Sequence, residues 1–130
     1  PPQPANRISP ERWLRCVVVA HPALVGAAHL EPVPPVLPRT DLRVPAPAPA
    51  VGADLDGGPV VVVCSTGFDP DVVAAGADAR ARHAPAAPLV IAVPEGDDQP
   101  VIRDVAARLR QPAQVVTVPA EWRRLGPALA

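Results

Sequence analysis

Proline placement constrains this chain more than any other feature. Of its 21 prolines, Pro32, Pro34, Pro35, Pro38, Pro45, Pro47 and Pro49 crowd between Glu31 and Ala50. Each lacks a backbone N–H and fixes φ, so the segment is expected to sustain neither a continuous helix nor a central strand. Residues 31–50 therefore read as a Pro-rich loop or linker, with Thr40–Val44 as a short edge strand and Pro45–Pro49 in extended polyproline geometry. No arginine flanks these prolines in a pattern suited to an SH3-like partner.

Outside that segment the signals are regular. Residues 1–8 read as a frayed leader. Ser9-Pro10-Glu11 is a helix start, with a hydroxyl cap, a proline at the first helical position and an acid near the positive end of the dipole. A helix is expected to about Ala20, where Pro22 ends or kinks it. The β-prone Val17-Val18-Val19 run makes a strand the rival, but Trp13, Val17 and Ala20 fit helical spacing. Further on, Asp54-Leu55-Asp56-Gly57-Gly58 is a turn, and Pro59–Cys64 is a valine strand suited to a sheet covered on both faces.

A helix from Asp69-Pro70-Asp71 to about His83, a strand Leu89–Val93, a helix Pro100–Arg110 and a strand Gln114–Val118 follow. In the second of these helices Val101, Ile102, Val105, Ala106 and Leu109 make one apolar stripe expected to face the sheet. Alternation at this spacing implies parallel strands. The fold class is thus α/β, in two or three layers, with a mainly parallel β-α-β-α-β core over residues 59–118, an N-terminal helix and a Pro-rich edge segment. At 130 residues the chain has material for one core, so residues 1–130 form one domain.

All 12 basic residues are arginine. Without lysine there is no P-loop lysine for a nucleotide phosphate and no Schiff-base amine. A net charge of −1 disfavours nucleic acid as a partner; the residual candidates for such binding are Arg80, Arg82, Arg103, Arg108 and Arg110. The longest apolar stretch, Cys16 to Leu30, is broken by His21, Pro22 and His29 and is too short to span a bilayer, so no membrane is expected and the cytoplasm is the default location. Ala-, Arg-, Pro- and Val-rich usage suits a high-GC bacterial genome, and the absence of Met suggests a processed or excised fragment. Cys16 and Cys64 both lie in valine-rich runs, where a free cysteine acts as a small hydrophobe, and a disulfide between them is disfavoured.

In open parallel sheets, ligands bind outside the carboxyl ends of the strands. Cys64-Ser65-Thr66-Gly67, Glu95-Gly96-Asp97-Asp98 and Pro119-Ala120-Glu121 are expected to meet there. A thiol between a buried strand and a helix start could be activated by backbone N–H groups, which makes Cys64 the candidate nucleophile, with Thr66 and Gly67 N–H groups for an oxyanion. The candidate binding residues are Ser65, Thr66, Gly67, Asp69, Glu95, Asp97 and Asp98. The alternative is structural: Cys64 as strand filler, with Ser65, Thr66 and Asp69 as turn and cap. The acids, with Asp71, could converge on Mg²⁺, but acids also gather at helix N-termini for the dipole, and no metal or other cofactor is expected. His21, His29 and His83 have no zinc spacing and read as surface or capping residues; Trp13 and Trp122 read as packing anchors.

Cys64-Ser65-Thr66-Gly67 resembles the phosphocysteine loop of the IIB components of the sugar phosphotransferase system, in which a strand ends in Cys-x-x-Gly before a helix. The chain departs from that pattern at Phe68, Asp69 and Asp71, which put acids where the phosphate charge would lie. A second resemblance lies in the order of elements from Glu11 to about Arg110: helix, irregular segment, Asp41-Leu42 strand, Asp56-Gly57-Gly58 turn, valine strand, helix, strand, helix. This order resembles the restriction-endonuclease-like nucleases, particularly the C-terminal domains of actinobacterial and archaeal single-strand-type endonucleases. There a catalytic Asp on one strand is followed, across a hairpin, by a valine-rich strand ending in Glu-x-Lys.

The nuclease resemblance implies that the Asp falls on Asp41 and the Glu and Lys on Cys64 and Thr66, so two of the three catalytic groups are gone and the paired carboxylates needed for metal-assisted hydrolysis are not supplied. It also implies that Thr40–Val44 pairs antiparallel with Pro59–Cys64. The expected function is a non-catalytic interaction or assembly domain, a degenerate nuclease-like module. Its partner would be another protein or other domains of a larger assembly, and a homo-oligomer is compatible. The alternative is a small transferase or hydrolase using Cys64.

Overall fold

The computed structural model describes residues 9–34 and 46–125; the leader 1–8, Asp41 and the expected strand Thr40–Val44 lie outside the described residues. Helix α1 spans Pro10–Ala20. Arg12 N–H donates to Ser9 Oγ at 3.3 Å, Pro10 occupies the first turn and the helix stops at His21, immediately before Pro22. Helix prevails over strand because Leu14, Val17 and Val18 form one buried stripe, and Glu11 lies on the same stripe three residues before Leu14.

Five strands follow: β1 Ala27–Pro32, β2 Ala48–Asp54, β3 Pro59–Cys64, β4 Leu89–Pro94 and β5 Gln114–Val118. They lie side by side in sequence order; β2 runs antiparallel to β1 and β3, while β3, β4 and β5 are parallel. Helix α2 (Val72–His83) joins β3 to β4 and α3 (Pro100–Arg108) joins β4 to β5. The β2–β3 hairpin is set by Asp54, whose Oδ1 accepts from Asp56 N and Gly58 N at 2.9 Å each, and by Gly57 at φ 85°, a left-handed position that disfavours a side chain.

The result is three layers. On one sheet face Val60, Val62, Cys64, Ala48, Ala50, Val90 and Ala92 pack against α1 and the buried Trp122. On the other, Val61, Val63, Leu89, Ile91, Val93 and Val115 pack against α2 and α3. Alternating residues of one valine run thus serve two cores, as a strand covered on both faces requires.

Three expectations need correction. First, β1 and β2 arise partly inside residues 31–50, which were expected to be loop or linker, and β2 is an interior strand although it contains Pro49. Val33 N–H donates to Pro49 O at 3.1 Å, but proline has no N–H to return. The Arg15 guanidinium fills the gap, with Nη1 donating to Val33 O at 3.0 Å and to Pro49 O at 3.2 Å. Second, the antiparallel partner of β3 is Ala48–Asp54 rather than Thr40–Val44, so Cys64 lies opposite Ala48. Third, only part of the α3 stripe meets the sheet. Ile102 and Ala106 are buried, whereas Val101 and Val105, one helical step aside, are 49% and 42% exposed.

Candidate functional site

Because β3, β4 and β5 are parallel, their carboxyl ends share one rim, and the three loops expected there do meet. They are tied to one another rather than left open. Gly67 N–H donates to Asp97 Oδ2 at 2.8 Å, joining the β3 loop to the β4 loop, and Ala120 N–H donates to Glu95 Oε1 at 3.1 Å, joining the β5 loop to the β4 loop. Asp98 is held by Arg103 through two bonds of 2.8 Å, and this pairing draws its carboxyl below the usual carboxylate range. Asp69 forms a turn by accepting from Asp71 N at 2.9 Å; burial first, then the charges of Asp71 and Glu11, raises its carboxyl. The acids are therefore spent on separate ties. Among the described residues no group of three or more His, Cys, Asp or Glu could hold a metal ion.

Cys64 is fully buried beneath α1. Burial pushes its thiol up to about 12, and the nearby Arg15 charge only partly opposes that rise. This is the reverse of the lowered value that activates a cysteine nucleophile. The Gly67 N–H expected to hold an oxyanion is already given to Asp97. Ser65 is buried and its N–H extends the β3–β4 ladder to Ala92 O at 3.0 Å. Both cysteines are free, Cys16 half-buried and Cys64 buried. No significant match to the chain is found among protein-family models, curated proteins or solved structures.

Two residues of this neighbourhood were not read as part of it from the sequence, Glu11 having been taken only as a helix-start acid. Glu11 of α1 is 4% exposed; its Oε2 accepts from Thr66 Oγ1 at 2.8 Å, while Oε1 is buried without a partner. The signal was present, since Glu11, Leu14 and Val18 share helical spacing on the core face. Arg15, the other, carried no local signal. Its guanidinium lies below its ordinary value, through burial first and the Arg12 charge second.

The five arginines named for residual nucleic-acid binding do not form one surface. Arg80 is buried and donates to Gln111 O at 2.6 Å, and Arg103 is engaged with Asp98. Arg82, Arg108 and Arg110 are exposed. Trp122 is a buried anchor with the Arg123 guanidinium 4.6 Å from its ring centre, and Trp13 is half-buried beside the same core. An open groove of about 290 Å³, lined by Arg15, Cys16, Val19, Ala20 and Pro32, lies between α1 and β1, away from the three loops. Among the described residues no helix is long and apolar enough to cross a membrane.

Proposed function

We propose that the chain is a non-catalytic interaction or assembly domain of a cytoplasmic protein from a high-GC bacterium, a degenerate relative of the restriction-endonuclease-like nucleases. Its partner is another protein or another part of a larger assembly. One observation carries the reading: at the rim where chemistry would sit, the thiol is sealed, Gly67 N–H and Ala120 N–H are given to Asp97 and Glu95 of the neighbouring loop, and Thr66 Oγ1 is given to Glu11 of α1. The order β2–β3 hairpin, α2, β4, α3 after an N-terminal helix supports the kinship, although β1 stands between α1 and β2 where an irregular segment was expected; the strand-end positions of Glu-x-Lys carry Cys64 and Thr66, with Ala48 opposite Cys64. Such a set lacks the carboxylates that hold Mg²⁺ and polarise a phosphate. The alternative enzyme, with Cys64 as nucleophile, draws no support from a neutral, buried thiol.

The test is hydrolysis of single- and double-stranded DNA by the purified chain with Mg²⁺ or Mn²⁺. The expected result is no cleavage above buffer, together with retention of a protein partner by the tagged chain. Metal-dependent cleavage that purifies with the chain and scales with its concentration would overturn the reading.

A further inference from the structure

The sheet has two edge strands, β1 and β5. At β5, Arg103 Nη1 of α3 donates to Val115 O at 3.5 Å. At β1 the direction of each backbone group follows from the register. Val33 N–H donates to Pro49 O, so residues 33 and 49 occupy a hydrogen-bonded position of the β1–β2 ladder. Such positions alternate along an antiparallel pair, so Glu31 and His29 bond inward to Val51 and Ala53. Leu30, opposite Gly52, and Pro32, opposite Ala50, therefore turn their backbone groups away from β2. Among the described residues nothing pairs with the outward N–H and C=O of Leu30. Pro32, which has no N–H, ends this edge on one side, and the irregular step between Ala27 and His29 ends it on the other.

The side chains about Leu30 match a copy of themselves. Leu30 is buried under α1, while His29 and Glu31 stand on the opposite face with side chains 66% and 70% exposed, Nε2 and Oε1 being 3.5 Å apart. A second β1 laid antiparallel, with Leu30 opposite Leu30, sets each His29 against Glu31 of the other copy. In that register the two Leu30 residues exchange both N–H···O bonds across the axis. Centring the axis on Glu31 sets carboxylate against carboxylate and leaves Leu30 O facing Pro32, which has no proton to give. Centring it on His29 sets imidazole against imidazole. Charge and hydrogen bonding thus select one register. The groove between α1 and β1 lies beside Pro32, about 7 Å along the strand from that axis. Apart from Arg15 its walls are Cys16, Val19, Ala20 and Pro32, compact groups that let a second copy approach.

We propose that β1 is the interface of a two-fold homodimer, in which the two edge strands pair antiparallel about Leu30 and join the two sheets into one. The pairing uses the same edge of both copies, so it closes at two chains. This rests on the interaction reading above and names one partner for it, a second copy of this chain.

Cross-linking tests the register and sedimentation equilibrium tests the assembly. His29→Cys and Glu31→Cys chains, each also carrying Cys16→Ala, are oxidised separately and as a mixture. Opposite residues in a non-hydrogen-bonded pair have Cα atoms about 4.5 Å apart, within disulfide reach, whereas like positions are offset by two residues and lie beyond it. The mixture is therefore expected to form a linked dimer at least about fivefold faster than either chain alone. In sedimentation the wild type is expected to dimerise. His29→Glu sets carboxylates against Glu31 twice per dimer and is expected to raise the dimer Kd at least about tenfold. Adding Glu31→Arg restores opposite pairing and returns the Kd to within about threefold of wild type. Both positions are exposed, so the fold is retained. A wild type monomeric throughout, a dimer indifferent to the reversals, or a mixture that links no faster than its components overturns the proposal. A monomer that still retains another protein would remove the homodimer and leave the interaction reading standing, whereas DNA cleavage would remove that reading whatever the oligomeric state.

Discussion

Gly52→Ala is expected to destabilise the fold by about 4 kcal/mol or more, near the top of the range for single substitutions. Gly52 lies in the middle of β2, paired with Leu30 on one side and Val60 on the other. A Cβ there would overlap the His29 carbonyl and press on the Leu30 Cα. All of these are backbone atoms, so no side chain can swing away and β1 itself must shift. The close approach occurs where the β1–β2 register steps between Ala27 and His29. For a chain of this length the loss corresponds to roughly 15 °C in thermal midpoint. Gly96→Ala is the control, because an added Cβ at Gly96 meets nothing. A Gly52→Ala protein that melts with the wild type would show that β1 does not pair as described.

Arg15→Met is expected to cost about 2–3 kcal/mol, more than an arginine that is half-buried would ordinarily suggest. Its Nη1 serves the Val33 and Pro49 carbonyls at the point where Pro49 cannot donate. Pro49 O keeps the Val33 N–H when Arg15 is removed, but the part-buried Val33 O is left without a donor, which is the costly way to lose a hydrogen bond. A double-mutant cycle isolates the cause. In a Pro49→Ala background residue 49 regains an N–H aimed at Val33 O, and Arg15→Met should then cost less than about 1 kcal/mol. Equal costs in both backgrounds, read from urea denaturation, would mean that Arg15 acts through packing of its stem alone.

The parts of the fold that were legible in the sequence are those whose causes are local. The valine run Pro59–Cys64, the Asp54–Gly58 turn, the Ser9 cap and the two later helices all declare themselves within a few residues, and each forms close to its expected limits. Strand β2 was illegible because the usual penalty for Pro49 is offset by Arg15, 34 residues away, and nothing near either residue announces the other. The α3 stripe was read too wide: apolar spacing identifies a face, but the sheet covers only the arc through Ile102 and Ala106.

The candidate site divides in the same way. That the loops after β3, β4 and β5 share a rim followed from parallel strands. That their polar groups bind one another did not, because Gly67 with Asp97 and Ala120 with Glu95 are ties across 30 and 25 residues. Nor could the sequence decide between an activated and a sealed Cys64. A strand end before a helix suits both, and the covering of the thiol by α1 is a tertiary fact.

The most direct test of the central claim, that this rim holds no chemistry, is alkylation of Cys64 in the folded chain as a function of pH, with Cys16→Ala so that one thiol reports. A thiol pushed up to about 12 and fully buried is predicted to stay unmodified through neutral and mildly alkaline pH. It should react at the rate of a free cysteine only once the chain is unfolded in denaturant. Rapid modification of the native protein, with a midpoint below the ordinary thiol value of about 8.5, would reveal a stabilised thiolate and contradict the account.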